Sequence, residues 1–179
     1  MTPGQLAILK SDILADQTLV DWITAGRPNM IKAAYNADAA PDFIVWKNQV
    51  RTEDIFDSIT WSALTPLDTP DGSQDWANRS LACQGKQFNL QIILTGRQSI
   101  SGSKTAVRAG LQDALTNVPS GRAGALVNAG WAAVKAALSR KATRGEKLFA
   151  TGAGTTASPA TLGLDGPVTD ADVEYALRG

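Results

Sequence analysis

Between Gly96 and Thr105 the chain reads GRQSISGSKT, directly after the apolar Ile92, Ile93 and Leu94. A glycine- and lysine-bearing loop after an apolar run is the kind of segment that cradles phosphates. That chemistry needs a glycine, four residues and then Gly-Lys-Ser/Thr, which sets backbone amides and the lysine around the anion. Here five residues separate Gly96 from Gly102, and Ser103 stands between Gly102 and Lys104. A nucleotide-dependent enzyme is therefore the weakest of the readings. Gly152-Ala153-Gly154 follows a helical pattern and does not precede one, the wrong polarity for a dinucleotide fingerprint. The acidic groups Asp12, Asp16, Asp21 and Glu53, Asp54, Asp57 lack calcium-loop spacing and read as solvated helix starts or faces.

There is no histidine, which removes Ser-His-Asp and Cys-His catalysis and every histidine-containing metal site. The single cysteine, Cys83, lies among helical residues and reads as a buried structural thiol; one cysteine fits a reducing compartment. The expectation is a chain without enzymatic activity, cofactor or metal. The basic set Arg140, Lys141, Arg144 and Lys147 is the most informative cluster. Its plain reading is a solvated helix face. Its sharper reading, for Arg140, Arg144 and Lys147, is contact with DNA or with an acidic partner. No aromatic residues interleave with it, so single-stranded binding by stacking is not supported.

The element that must carry this cluster runs from Ser120 to Phe149. Val127, Trp131, Val134, Leu138, Ala142, Gly145 and Phe149 follow at steps of three or four, the spacing of one buried helical face. The pattern predicts a single long helix whose stripe, Val127, Trp131, Val134, Leu138 and Phe149, makes a subunit interface. Beyond Gly152 a thin strap of glycine, threonine, alanine and proline carries Pro159, Leu162, Leu164 and Val168 as an arm for docking on a partner. Such a tail would be mobile in a monomer.

Earlier elements are shorter. Thr2, Pro3 and Gln5 form a helix-start signature ahead of Leu6, Leu9 and Ile13. Short helices follow over Thr18 to Trp22 and Met30 to Tyr35. Phe43 to Trp46 fits a strand or a helix start. Thr52, Glu53 and Asp54 open a helix to Ile59. Residues 64–72, with two prolines and a glycine, make the best hinge. A helix is expected from Ser73 to Leu94 with Ala77, Leu81, Gly85, Phe88 and Ile92 on one face, its second half, 88–94, also able to alternate as a strand, then another carrying Val107, Leu111 and Leu115, and a last turn over Thr169 to Leu177.

The fold class that results is mainly α: a helical bundle body with one long C-terminal helix, extended N- and C-terminal arms and little β. Residues 1–150 form the helical domain and 151–179 the arm. Hydrophobic residues at 44% and charged residues at 19% of 179 are globular proportions, and no apolar run reaches the roughly 20 residues a membrane span needs. Net charge is zero but segregated: residues 1–95 carry 7 basic and 11 acidic side chains, 96–147 carry 9 and 2, and 148–179 carry 1 and 4. The basic middle either neutralises its own ends or faces an acidic neighbour.

The run Ala142 to Gly154, with Ala157, Ser158, Pro159, Ala160 and Thr161, resembles the C-terminal signature of a family of small proteins of tailed bacteriophages and prophages. The opening Met1-Thr2-Pro3, Gln5-Leu6-Ala7 and Leu9-Lys10 is similar to that family's start, and Pro41, Phe43, Val45 and Trp46 fit its middle; residues 62–104 match nothing in it. The resemblance implies a virion structural protein of the head-to-tail connector (adaptor) type. Such a protein forms a homo-oligomeric ring, dodecameric by resemblance, that binds the portal protein and joins capsid to tail and neck proteins, with non-specific contact to packaged DNA and none to membrane. It would reside in the virion neck, and in host cytoplasm during assembly. The alternative is a non-virion assembly factor or chaperone.

Overall fold

The computed structural model describes residues 1–64, 81–120 and 125–178, and the described chain is predominantly helical with short two-stranded sheets. It divides into two compact units. One joins both ends of the chain, Met1–Trp46 with Arg140–Gly179; the other is Lys47–Ser139.

The first unit begins with α1 (Pro3–Ala15), where Thr2 caps the backbone of Gln5 and the Gln5 side chain returns the bond, with Pro3 at the first position. Asp16 ends α1 and its carboxylate caps α2 (Gln17–Thr24) through the Thr18 amide. Pro28 opens α3 (Pro28–Asn36). β1 (Ile44–Trp46) pairs with β6 (Ser139–Lys141), and α9 (Arg144–Phe149) and α10 (Asp170–Arg178) complete the unit. Leu9, Ile13, Leu19, Ile31 and Tyr35 make its core together with Val168, Val173 and Ala176 from the far end of the sequence.

The second unit holds β2 (Val50–Arg51), α4 (Thr52–Ser58), α5 (Trp61–Leu64), α6 (Leu81–Leu94), β3 (Ser99–Ile100), α7 (Thr105–Leu115), β4 (Val118–Ser120), β5 (Ala125–Val127) and α8 (Trp131–Ala137). α6 packs along α7, α4 against α8, and β2 and β4 pair antiparallel with β3 and β5. Ile55, Cys83, Leu90, Leu94, Leu111 and Leu115 are buried there. Residues 88–94 are helical, but the expected face is not the buried one: Leu90 and Leu94 turn inward at helical spacing, whereas Phe88 and Ile92, expected on the apolar face, stand in solvent because the neighbouring elements cover the other side. Cys83 is buried, as its setting predicts. Of the expected hinge, Leu64 ends α5 and 65–72 lie outside the described residues.

The predicted long helix is not formed. Residues 125–149 fold as β5, α8, β6 and α9 in succession. Gly130 starts α8 in the left-handed region at φ 93°, where an added Cβ would lie 2.6 Å from the Ser58 carbonyl oxygen. At the other break Thr143 caps the Glu146 amide and Glu146 returns a bond to Thr143, a complete capping box that starts a new helix. Val134, Leu138, Ala142 and Gly145 are all buried at steps of three or four, yet across a helix, a strand and a second helix. An N-terminal arm is likewise absent among the described residues, since α1 begins at Pro3 and packs on α10.

The C-terminal segment is not a free arm. Ala160 donates to Ile44 O (2.8 Å) and accepts from Trp46 N (2.9 Å), Thr151 and Thr161 exchange backbone bonds, and Val168 N–H and C=O are both held by the Asn36 side chain at 2.9 and 2.8 Å. The division into a 1–150 body and a 151–179 arm therefore gives way to a unit in which both chain ends share one core.

Candidate functional site

Of the three basic residues expected to face DNA or an acidic partner, two are engaged within the first unit. Arg144, at the start of α9, donates to Asp16 Oδ2 (2.9 Å) and Asp12 Oδ2 (3.1 Å), and its guanidinium lies 4.9 Å from the centre of the Tyr35 ring. Tyr35 Oη donates to the same Asp12 oxygen at 2.5 Å. Asp12 and Asp16 are one helical turn apart, so the fork of Arg144 meets both. The bond from Arg144 holds the Asp16 carboxyl below the usual carboxylate range. Burial, then the bond to Asp12, push the Tyr35 phenol well above its ordinary value.

Arg140, in β6, makes a two-pronged pair with Glu146, Nη1 to Oε2 at 2.7 Å and Nη2 to Oε1 at 2.5 Å. Glu146 is 4% exposed and also accepts from the Thr143 amide at 3.0 Å. Burial alone would raise its pKa, but the Arg140 and Thr143 bonds outweigh that and hold the carboxyl below its ordinary value. Lys147 differs: it has no carboxylate partner among the described residues and sits 5.8 Å from the centre of the Phe43 ring. Lys141 pairs with Asp42 at the surface.

Asp12 and Asp16 are thus charge partners and not solvated acids, and Glu146 joins them; the signals in the sequence are an i,i+4 acidic pair and Thr-x-x-Glu at Thr143 within an apolar pattern. The interface stripe is dispersed. Val134 and Leu138 are fully buried in the second unit, Val127 and Trp131 are half-buried there, and Phe149 packs on the core of the first. The segment expected to dock as an arm packs on its own unit: Pro159 and Val168 are buried, while Leu162, against the Val45, Ala142 and Ala160 cluster, and Leu164, against the cluster of Leu9, Tyr35 and Val168, are half-buried.

In the loop from Gly96 to Thr105 the carbonyls of Gly102 and Ser103 face a cation of the helix that follows. Arg108 Nη1 donates to Gly102 O (2.8 Å) and Ser103 O (2.7 Å), bracing the entry to α7. Gly102 is required by the close approach of the Leu138 and Lys47 carbonyls, 2.8 and 2.9 Å from where a Cβ would stand. Among the described residues no three His, Cys, Asp or Glu side chains are grouped to hold a metal, and no helix is long and apolar enough to cross a membrane. Comparison with known proteins finds no matching family model, curated protein or solved structure.

Proposed function

We propose that this chain is a structural subunit of a tailed bacteriophage or prophage particle, a head-to-tail connector that assembles with copies of itself on the portal and joins capsid to tail. The observation that carries the reading is the resemblance of Ala142 to Thr161 to that family's signature. In space the same residues bind the two ends of the chain together. Thr143 and Glu146 cap α9, and Ala160 extends the pairing of β1. Gly154, at φ 65°, admits the Phe43 ring where a Cβ would overlap it. A run of this kind specifies a folded scaffold.

Val134 and Leu138 of the expected interface are internal and Val127, Trp131 and Phe149 are half-buried, so more open apolar surface for neighbours lies elsewhere. α1 presents Gly4, Ala7, Ile8, Ser11 and Leu14 outward without one charged side chain among them, unlike a helix face made only for water. Lys147 is the signature cation left for a partner or for DNA.

Mass spectrometry of purified particles and pull-down on the portal protein test this reading. The chain should be found in mature particles and should bind portal. Absence from particles with binding only in lysates of assembling cells would favour the assembly-factor alternative; absence from both would end the proposal.

A further inference from the structure

The second unit carries a small pit that opens into a polar trough. The pit, about 120 Å³, is walled by Phe56, Trp61, Leu64, Leu90 and Leu94. Its aromatic wall is fixed: the Phe56 and Trp61 rings stack with centroids 5.5 Å apart, and Trp61 Nε1 donates to Phe56 O at 2.9 Å. Both rings stay in contact with solvent, at 40% and 45% exposure. Cofactor and drug-sized ligands occupy roughly 300–1,000 Å³. A pit of this size instead suits one apolar side chain, since an engineered cavity of about 150 Å³ takes a single benzene.

At the pit, Gln87 donates through Nε2 to Leu64 O at 2.5 Å, which fixes the orientation of its amide. The opposite atom, Oε1, is buried and has no hydrogen-bond partner among the described residues. The acceptor left without a donor is a local cost carried by this wall of the pit.

The trough, about 760 Å³, shares Phe56, Leu94 and Thr95 with the pit and continues along Gln49, Gln98 and Ser99. Arg51 on its wall is neutralised by Glu53. Arg97 is exposed and, among the described residues, has no ion pair, so the rim keeps one unspent positive charge. A single-stranded nucleic acid asks for a track of cations and several stacking faces, which this trough does not offer.

We infer that pit and trough bind an extended peptide segment whose apolar side chain fills the pit beside Phe56 and Trp61 while an acidic residue a few positions away pairs with Arg97. This surface is independent of the connector reading and of whether the chain enters particles.

The test is fluorescence anisotropy on the full chain. Its probe is a labelled synthetic pool in which Leu, Phe or Trp precedes Asp or Glu by one to three residues, with Lys-for-acid and Ser-for-anchor pools and oligothymidine as controls. Saturable binding is expected for the first pool, at least about tenfold weaker for each control. Trp61→Ala should weaken it by at least about tenfold, and Arg97→Glu should weaken the acidic pool while favouring the lysine pool. Should Trp61→Ala fail to fold by circular dichroism, Gln91→Glu at the exposed lip of the pit takes its place, with the same loss expected. No saturation, equal binding of oligothymidine, or affinity unmoved by these substitutions would overturn the inference.

Discussion

Arg140 and Glu146 meet across the turn between β6 and α9, and Glu146 is the more deeply buried of the two. Removing the arginine leaves a carboxylate in the interior without its counter-charge. Arg140→Met should therefore cost about 2–3 kcal/mol, toward the lower end for a buried pair because the arginine itself is about one-third exposed. Adding Glu146→Gln should recover at least half of that loss, since the amide still accepts from Thr143 without carrying charge. A chemical-denaturation double-mutant cycle measures this, and no recovery would assign the cost to lost packing. The Arg144 pairs, about a third exposed on each side, should contribute less, about 1–2 kcal/mol for Arg144→Ala. Asp16 and Glu146 both have folded pKa values below their ordinary ones. Their stabilisation is fully present above the unfolded values of about 3.9 and 4.3 and is lost as pH falls through the lower folded values. The thermal midpoint should hold from pH 7 to about 5 and drop steeply below about pH 4, with a shallower drop in Arg144→Ala. A midpoint that rises on acidification would contradict these directions.

At the scale of the element, glycines in two helices of the same unit separate propensity from packing. Gly4 in α1 has open space where a Cβ would go, so Gly4→Ala should stabilise by about 0.5–1 kcal/mol. Gly145 in α9 would place a Cβ 2.8 Å from Val168 Cγ2 and 3.2 Å from the Tyr35 carbonyl oxygen. Gly145→Ala should destabilise by about 1–3 kcal/mol despite the better helix propensity. Urea midpoints of the two variants decide the matter, and the same sign for both would refute it. α9 is short, six residues, and is held by its capping box and by what it packs on. That is why a helical spacing of apolar residues across 127–149 could be real without being one helix.

For the molecule as a whole, the two ends of the chain make one unit and the middle makes another. Truncation after Ala150 removes Val168, Val173 and Ala176 from the core around Leu9 and Tyr35. That protein should lose the sharp thermal transition of the first unit, whereas loss of a mobile arm would leave it unchanged. Replacing 47–139 by a short glycine-containing turn should be tolerated, because Trp46 and Arg140 belong to paired strands. Circular dichroism melts of both deletions check the partition, and a stable 1–150 fragment would refute it.

Local chemistry was decided by the sequence alone. Thr2-Pro3-Gln5 dictates how α1 starts, since its donors and acceptors lie within one turn, and the stripe Leu9 and Ile13 dictates which face is buried. Glu53 and Asp54 mark the first turn of α4, and the overall helical class follows from many such short-range agreements. What only the tertiary structure decided is where non-local groups meet. Periodicity sums over neighbours in sequence and is blind to a backbone turned by a glycine at φ 93° against Ser58, or to a strand taken out of the pattern to pair with β1. It is equally blind to charge partners more than a hundred residues apart. Arg144 reads as a cation for a partner until Asp12 and Asp16 are seen against it, because burial and pairing are properties of the folded surface, not of spacing along the chain.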